Sequence, residues 1–181
     1  MSKKFIYNEM MAHIPMCSHK APKNLLLVSD KPEGIEEELK RHAGLNITTG
    51  GLDSIGNGEE NSFDIVLIDS KAELSTATYA HLNRIVKEDG LVSALNGSLQ
   101  EEAATTAQLK ALGQYFKIVM PYRAGHSTMI LASKEYHPTA DVILQRSDLI
   151  DGLEYYNCDI HIATFVMPNY IRSTYKGIIK N

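Results

Sequence analysis

Cysteine is scarce in this chain of 181 residues: there are two, Cys17 and Cys158, with no Cys-x-x-Cys pair. The sequence therefore offers neither a disulfide framework nor a paired-cysteine motif, and both thiols are expected reduced in a cytoplasmic protein. No run approaches eighteen consecutive apolar residues, so no membrane-spanning helix is expected. The first residues, MSKKFIYNEMM, lack a long apolar core, so a signal peptide is not expected either. No basic block stands out and the formal net charge is -4, which argues against a dedicated nucleic-acid binder. Internal repeats, low-complexity tracts and a dividing linker are also missing. With 44% hydrophobic and 22% charged residues, residues 1–181 read as a single globular domain with a full core.

What is present is organised around Phe63–Ser70, FDIVLIDS. Ile65–Ile68 is apolar on both alternations, the pattern of a strand buried on both faces in a parallel sheet flanked by helices. The strand ends in Asp69. In open α/β sheets ligands sit beyond the carboxyl ends of strands, so Asp69 is the leading site candidate. The alternative is that it caps the following helix or turn.

The remaining chain follows the same alternation. Tyr7, Met10, Met11 and Ile14 recur at helical spacing, so a short amphipathic helix is expected from about Tyr7 to His13, ended or kinked by Pro15. Asn24–Ser29, NLLLVS, reads as a second strand buried on both faces. Gly34–His42 reads as a helix closed by Gly44, and Leu45–Thr49 as a weaker strand. Gly50–Asn61 holds four glycines and reads as a loop. Ser75–Lys87 is a helix, Asp89-Gly90 a turn, Leu91–Leu95 a strand and Leu99–Leu112 a helix. Phe116–Met120 and Thr128–Ala132 form an antiparallel hairpin joined by PYRAGH. Asp141–Asp148, Tyr155–Met167 and Ile171–Ile179 read as late helices. The sum is an α/β fold: six strands in a mostly parallel sheet, one strand antiparallel in a C-terminal hairpin, helices on both faces.

Three blocks resemble the aminopropyltransferases, the spermidine synthase family. IYNEMMAHIPMCSHKAPKNLLLV resembles the family's Tyr-x-Glu-Met helix, leading to a Pro and Lys before the first strand. FDIVLIDS resembles its Phe-Asp-(apolar)-Asp-Ser strand. LEYYNCDIHIATFVMP is similar to its closing Tyr-Tyr-Asn-x-x-x-His-x-x-x-Phe-x-x-Pro segment. The resemblance implies a Rossmann-like, methyltransferase-type sheet. It also implies transfer of an aminopropyl group from decarboxylated S-adenosylmethionine, as co-substrate, to putrescine. No tightly bound cofactor and no metal are implied. The expected partners are a diamine and a nucleoside donor, and the expected assembly is a homo-oligomer, a dimer.

By the same resemblance, Asp69 is the base. Tyr7, Asn8, Ser70, Glu73 and Tyr122 contact the acceptor; Asp30, Gly34, Gly50 and Gly51 lie along the donor. Tyr122 enters because PYRAG resembles the family's Pro-Thr-Tyr-Pro-Ser-Gly loop. The chain also departs from the family pattern. The Gly-Gly-Gly-Asp-Gly-Gly loop is here SDKPEG, and the acid that ends the family's second strand has no match. The second aspartate of Asp-Ser-x-Asp-Pro is Ala72, with Glu73 one position on. The family has seven strands in this sheet, and an N-terminal β-rich domain before the point where this chain starts. A non-catalytic, polyamine-binding or subunit-interaction descendant is therefore the alternative function.

Several residues carry a second reading. Tyr7 also fits the buried stripe of its helix, and Tyr122 also suits an exposed hairpin turn. Asp30 and Glu33 suit a helix N-terminus as well as a cationic donor. Glu36–Glu38 reads as a solvated helix face. His13, His19 and His161 have no metal-ligand spacing, and His161 reads as a buttress of the closing helix.

Overall fold

A computed structural model, which describes residues 4–181, orders the chain as α1 (Lys4–Ser18), β1 (Asn24–Ser29), α2 (Glu33–Leu39), β2 (Asn46–Gly50), α3 (Asp53–Asn57), β3 (Phe63–Asp69), α4 (Thr76–Ile85), β4 (Val86–Asn96), α5 (Glu102–Gly113), β5 (Ile118–Ala124), β6 (Ser127–Ser133), α6 (Leu144–Asp148), α7 (Cys158–Ala163) and α8 (Asn169–Thr174). The strands make one six-stranded sheet in the order β2-β1-β3-β4-β6-β5. The first four in that order run parallel, and β6 is reversed between β4 and β5. This is the α/β architecture that the alternation of strands and helices predicts.

The aliphatic runs explain the layers. Leu26, Val28, Val66 and Ile68 pack with Leu82 and Ile85 of α4 and Leu109 and Leu112 of α5. Leu25, Leu27, Ile65 and Leu67 pack on the opposite face with Met10, Met11 and Ile14 of α1 and Ile35 and Leu39 of α2. None of these eight strand side chains is more than 1% exposed. At about 1.5–3 kcal/mol for each buried aliphatic side chain, two-sided burial is what holds the centre of the sheet. The chain leaves β1 for β2 on one side and returns to β3 on the other. The directions diverge beyond Ser29 and Asp69, the last residues of β1 and β3, which pair in register. Such switch points are where open α/β sheets receive ligands.

Local expectations are corrected in several places. α1 does not stop near His13 but passes through Pro15 to Ser18. An internal proline costs a helix about 3 kcal/mol. Every residue from Glu9 to Ser18 is buried, so packing offsets that cost and the helix is buried all round rather than amphipathic. The glycine-rich stretch 50–61 contains α3. Asp89 and Gly90 form no turn; β4 starts at Val86 and passes them with a register shift opposite Phe63–Ile65. A Cβ on Gly90 would lie 2.8 Å from the Asp64 carbonyl oxygen, so the irregularity needs glycine.

The hairpin is longer than expected. Pro121 to Ala124 belong to β5, and only Gly125-His126 lie between the paired Ala124 and Ser127. Gly125, at φ +66°, supplies the positive φ that a two-residue hairpin needs. The late helices are short. α6 begins at Leu144 rather than Asp141, and α7 and α8 occupy only parts of the expected spans. Asn157 starts α7 by accepting from Ile160 N.

Candidate active site

Asp69 is half-buried at the carboxyl end of β3. Its Oδ1 accepts from the Tyr7 hydroxyl at 2.6 Å, and its Oδ2 accepts from Ser29 Oγ at 2.8 Å. α1 brings Tyr7 across this end of the sheet, and β1 delivers Ser29 in register. The capping alternative for Asp69 fails, because α4 is capped by Ser75, whose side chain accepts from Thr78 N. Among the described residues Asp69 takes part in no ion pair. A carboxylate held only by neutral hydroxyls keeps an uncompensated charge at the mouth of the sheet, which suits a cationic ligand. Burial, and after it the hydrogen bond to Asp69, pushes the Tyr7 phenol far above its usual range, so it remains a donor.

Tyr122 is not in an exposed turn. It lies on β5 with no exposed surface, and its hydroxyl is 2.7 Å from Ser93 Oγ on β4. Burial raises its phenol well above the ordinary value, against the opposing effect of Ser93. Its ring meets Phe165 at a tilt of 41°, with centroids 5.3 Å apart, and it adds a small part to the upward shift of Tyr7. Tyr122 therefore belongs to the buried cluster against which Tyr7 packs.

The other predicted residues scatter around this pair. A Cβ on Gly34 would fall 2.2 Å from Asn8 Nδ2, so Gly34 is what lets the Asn8 amide lie against the start of α2. Ser70 Oγ accepts from Ala72 N at 3.2 Å and shapes the turn after β3. Glu73 is exposed, and its charge adds to the burial that raises the Tyr79 phenol. Asp30 is exposed within the SDKPEG segment. Gly50 and Gly51 sit at the end of β2 under α3, where Cβ atoms would meet Ser54 Oγ at 2.1 Å and Asp53 Oδ1 at 2.9 Å. The structure thus groups Asp69 with Tyr7, and Asn8 with Gly34, and sets Gly50 and Gly51 apart at the end of β2. Sequence reasoning missed Ser29 and Ser93. Each is a hydroxyl in or ending an otherwise apolar strand, and that was the available signal.

No protein-family model matches the chain. Individual relatives do. The polyamine aminopropyltransferase 1 of Bacillus cereus is 27% identical, over 93% of this chain and 78% of its own length. The polyamine aminopropyltransferase of Bacillus subtilis is 27% identical, over 96% and 79%. The chain is thus similar to polyamine aminopropyltransferases over nearly its whole length. Among solved structures, a spermidine synthase from Thermotoga maritima superposes with a TM-score of 0.83 at 22% identity, covering 94% of this chain and 74% of that one. The polyamine aminopropyltransferases are transferases, and the sheet described above is their Rossmann-like, methyltransferase-type sheet. The alignment to the Bacillus cereus aminopropyltransferase is 216 positions long yet takes in 93% of only 181 residues. That relative therefore carries internal residues that this chain lacks.

Further polar groups away from this site are structural. The face of Glu36–Glu38 is not simply solvated. Glu36 accepts from Thr49 Oγ1 at 2.5 Å, and Glu38 joins Arg41 and His13 at 2.7 and 3.0 Å. His19, Asp64 and Asp89 converge within 4.8 Å of one another, beside the amino ends of β1 and β3. They are poorly arranged for a metal. Ala21 N donates to His19 Nδ1, so in the neutral ring the proton sits on Nε2, the nitrogen facing Asp89. Asp64 is already neutralised by Lys87 at 2.9 Å. His161 bridges the Tyr156 hydroxyl at 2.7 Å and the Pro138 carbonyl at 2.9 Å. Glu9 accepts from the backbone N–H groups of Glu154, Tyr155 and Tyr156, which ties α1 to the closing segment. No helix among the described residues is long and apolar enough to cross a membrane.

Proposed function

We propose that the chain moves an aminopropyl group from decarboxylated S-adenosylmethionine to putrescine, giving spermidine and methylthioadenosine. The observation that carries this reading is the uncompensated Asp69 carboxylate, held by Tyr7 at the switch point of a sheet like that of spermidine synthase. A diamine is an ammonium at pH 7, because alkylamines titrate near 10. Asp69 draws in that ammonium and accepts one proton, which frees the nitrogen lone pair. The nitrogen attacks the methylene beside the sulfonium. An N–C bond forms, the C–S bond breaks, and sulfur keeps the bonding pair as a neutral thioether. The product leaves as a secondary ammonium, and Asp69 returns its proton to water. The sulfonium is a good leaving group, so proximity and orientation supply much of the rate. Tyr7 and Asn8 on α1, with Ser70 and Glu73 after β3, frame the acceptor, and Tyr122 lies in the cluster against which Tyr7 packs. Asp30, Gly34, Gly50 and Gly51 face the donor. Substituting Asp69→Asn lowers formation of both products, measured by chromatography, by about 10²–10⁴-fold; unchanged turnover removes the reading.

One observation favours a second reading, a polyamine-binding protein that takes no nucleoside. The Asn8 amide fills the space beside Gly34, where a glycine would otherwise let a ligand approach the backbone. Calorimetry separates the two. Binding of putrescine with none of methylthioadenosine supports the second reading, and binding of both supports the first.

A further inference from the structure

We infer that Ser29 is a positioning residue for Asp69, an inference that rests on the proposed role of Asp69. Ser29 is the last residue of β1, 9% exposed, and its Oγ has two partners. It accepts from Lys31 N at 3.1 Å and donates to Asp69 Oδ2 at 2.8 Å. A hydroxyl has one proton to give. With Lys31 N occupying an oxygen lone pair, that proton is directed across the strand pair to a carboxylate forty residues away in sequence.

A local serine turn would need only the Lys31 contact. The second contact spans β1 and β3 at their one paired terminal position, Ser29 opposite Asp69. The consequence is geometric. Tyr7 holds Oδ1 and Ser29 holds Oδ2, so the carboxylate plane is fixed from both sides. The lone pairs left over set the direction from which an ammonium can approach. Ser29 also joins the loop that follows β1 to the carboxylate, through Lys31 N, so the loop and Asp69 share one rigid hydrogen-bonded chain.

The test compares Ser29→Ala, Ser29→Cys and Ser29→Thr with the unaltered protein. Alanine removes the hydroxyl, cysteine keeps the size with a weak donor, and threonine keeps the hydroxyl. The expected result is a kcat about tenfold lower for alanine and cysteine, a KM for putrescine within about twofold, and recovery of kcat with threonine. The Asp69 carboxylate stretch, isolated as the infrared difference against Asp69→Asn, shifts in the alanine and cysteine variants and returns in threonine. An unchanged kcat per folded molecule in both the alanine and the cysteine variants overturns the inference. So does a carboxylate band that ignores the hydroxyl. If the unaltered protein transfers no aminopropyl group, the proposed function fails. The infrared comparison then decides the Ser29 inference by itself.

Discussion

Strand β3 carries an aspartate near each end, and the two are held in opposite ways. Asp64, at the amino end, is 5% exposed; Lys87 reaches its Oδ1 at 2.9 Å and the Lys23 and Asn24 N–H groups reach its Oδ2. Burial alone would raise its carboxyl, but Lys87 and the two N–H groups outweigh that and hold it below the usual carboxylate range. Asp69, at the carboxyl end, has neutral hydroxyl donors and no ion pair among the described residues. One carboxylate has its cation built in and the other does not. The difference separates an anchor from a receptor: a buried charge with its own partner is costly to break, whereas a charge left unpaired at a switch point can meet a ligand's charge.

The largest expected effect breaks the carboxyl end. Asp69→Asn lowers turnover by about 10²–10⁴-fold, the range for losing a general base. Its unfolding free energy stays within about 1 kcal/mol of the unaltered protein, because a half-exposed amide is served by water. Next comes the amino end. Asp64→Ala leaves the Lys87 ammonium and two backbone N–H groups without their acceptor, and costs about 3 kcal/mol in urea unfolding. Turnover per folded molecule is unchanged. If Asp64→Ala abolished turnover at full stability, the division between anchor and receptor would collapse.

Much of this frame is legible in the chain, for physical reasons. NLLLVS and FDIVLIDS are apolar on both alternations, and a strand buried on both faces leaves that trace. Asp69 stands out because a charge closes an apolar run. Ser29 does not stand out, since its role depends on which strands are neighbours, and pairing across forty residues leaves no local mark. Tyr122 misleads because PYRAGH contains a proline and a glycine, the usual signs of a turn. Pro121 is tolerated inside β5 because that strand lies at the sheet edge. The outward N–H groups of Val119 and Arg123 are taken by Lys180 and Thr164, so the missing N–H at Pro121 falls on the same outer side and breaks no ladder bond. Pro15 misleads likewise, because local propensity argues against a helix that burial on all sides retains. The donor side is the least legible. Gly34, Gly50 and Gly51 suggest close approach by a ligand, while in the fold the atoms nearest them are those of Asn8, Ser54 and Asp53.

Two smaller effects sharpen the contrast. Lys87→Met removes the built-in cation while keeping most of the stem. With Lys87 about one-third exposed, solvent screens the pair, so the loss at pH 7 is about 1–2 kcal/mol. Its pH dependence has a defined sign. The folded Asp64 carboxyl lies below its unfolded value. Its contribution is therefore complete above about pH 4 and is lost as pH falls through the folded value. The gap between Lys87→Met and the unaltered protein, followed by urea unfolding, narrows over that acid window; a gap that widens there assigns the effect to packing of the lysine stem.

Tyr7→Phe is the finest probe of the other end. It keeps the ring on α1 and deletes the donor to Asp69 Oδ1. Water reaches a half-buried carboxylate, so the fold loses no more than about 1 kcal/mol. Turnover falls about tenfold because the carboxylate is then steadied from one side only. A Tyr7→Phe protein with full turnover and a marked loss of stability would make the hydroxyl a fastening between α1 and β3. Asp69 would then have no orienting partner on that side, and the receptor end of the strand would rest on Ser29 alone.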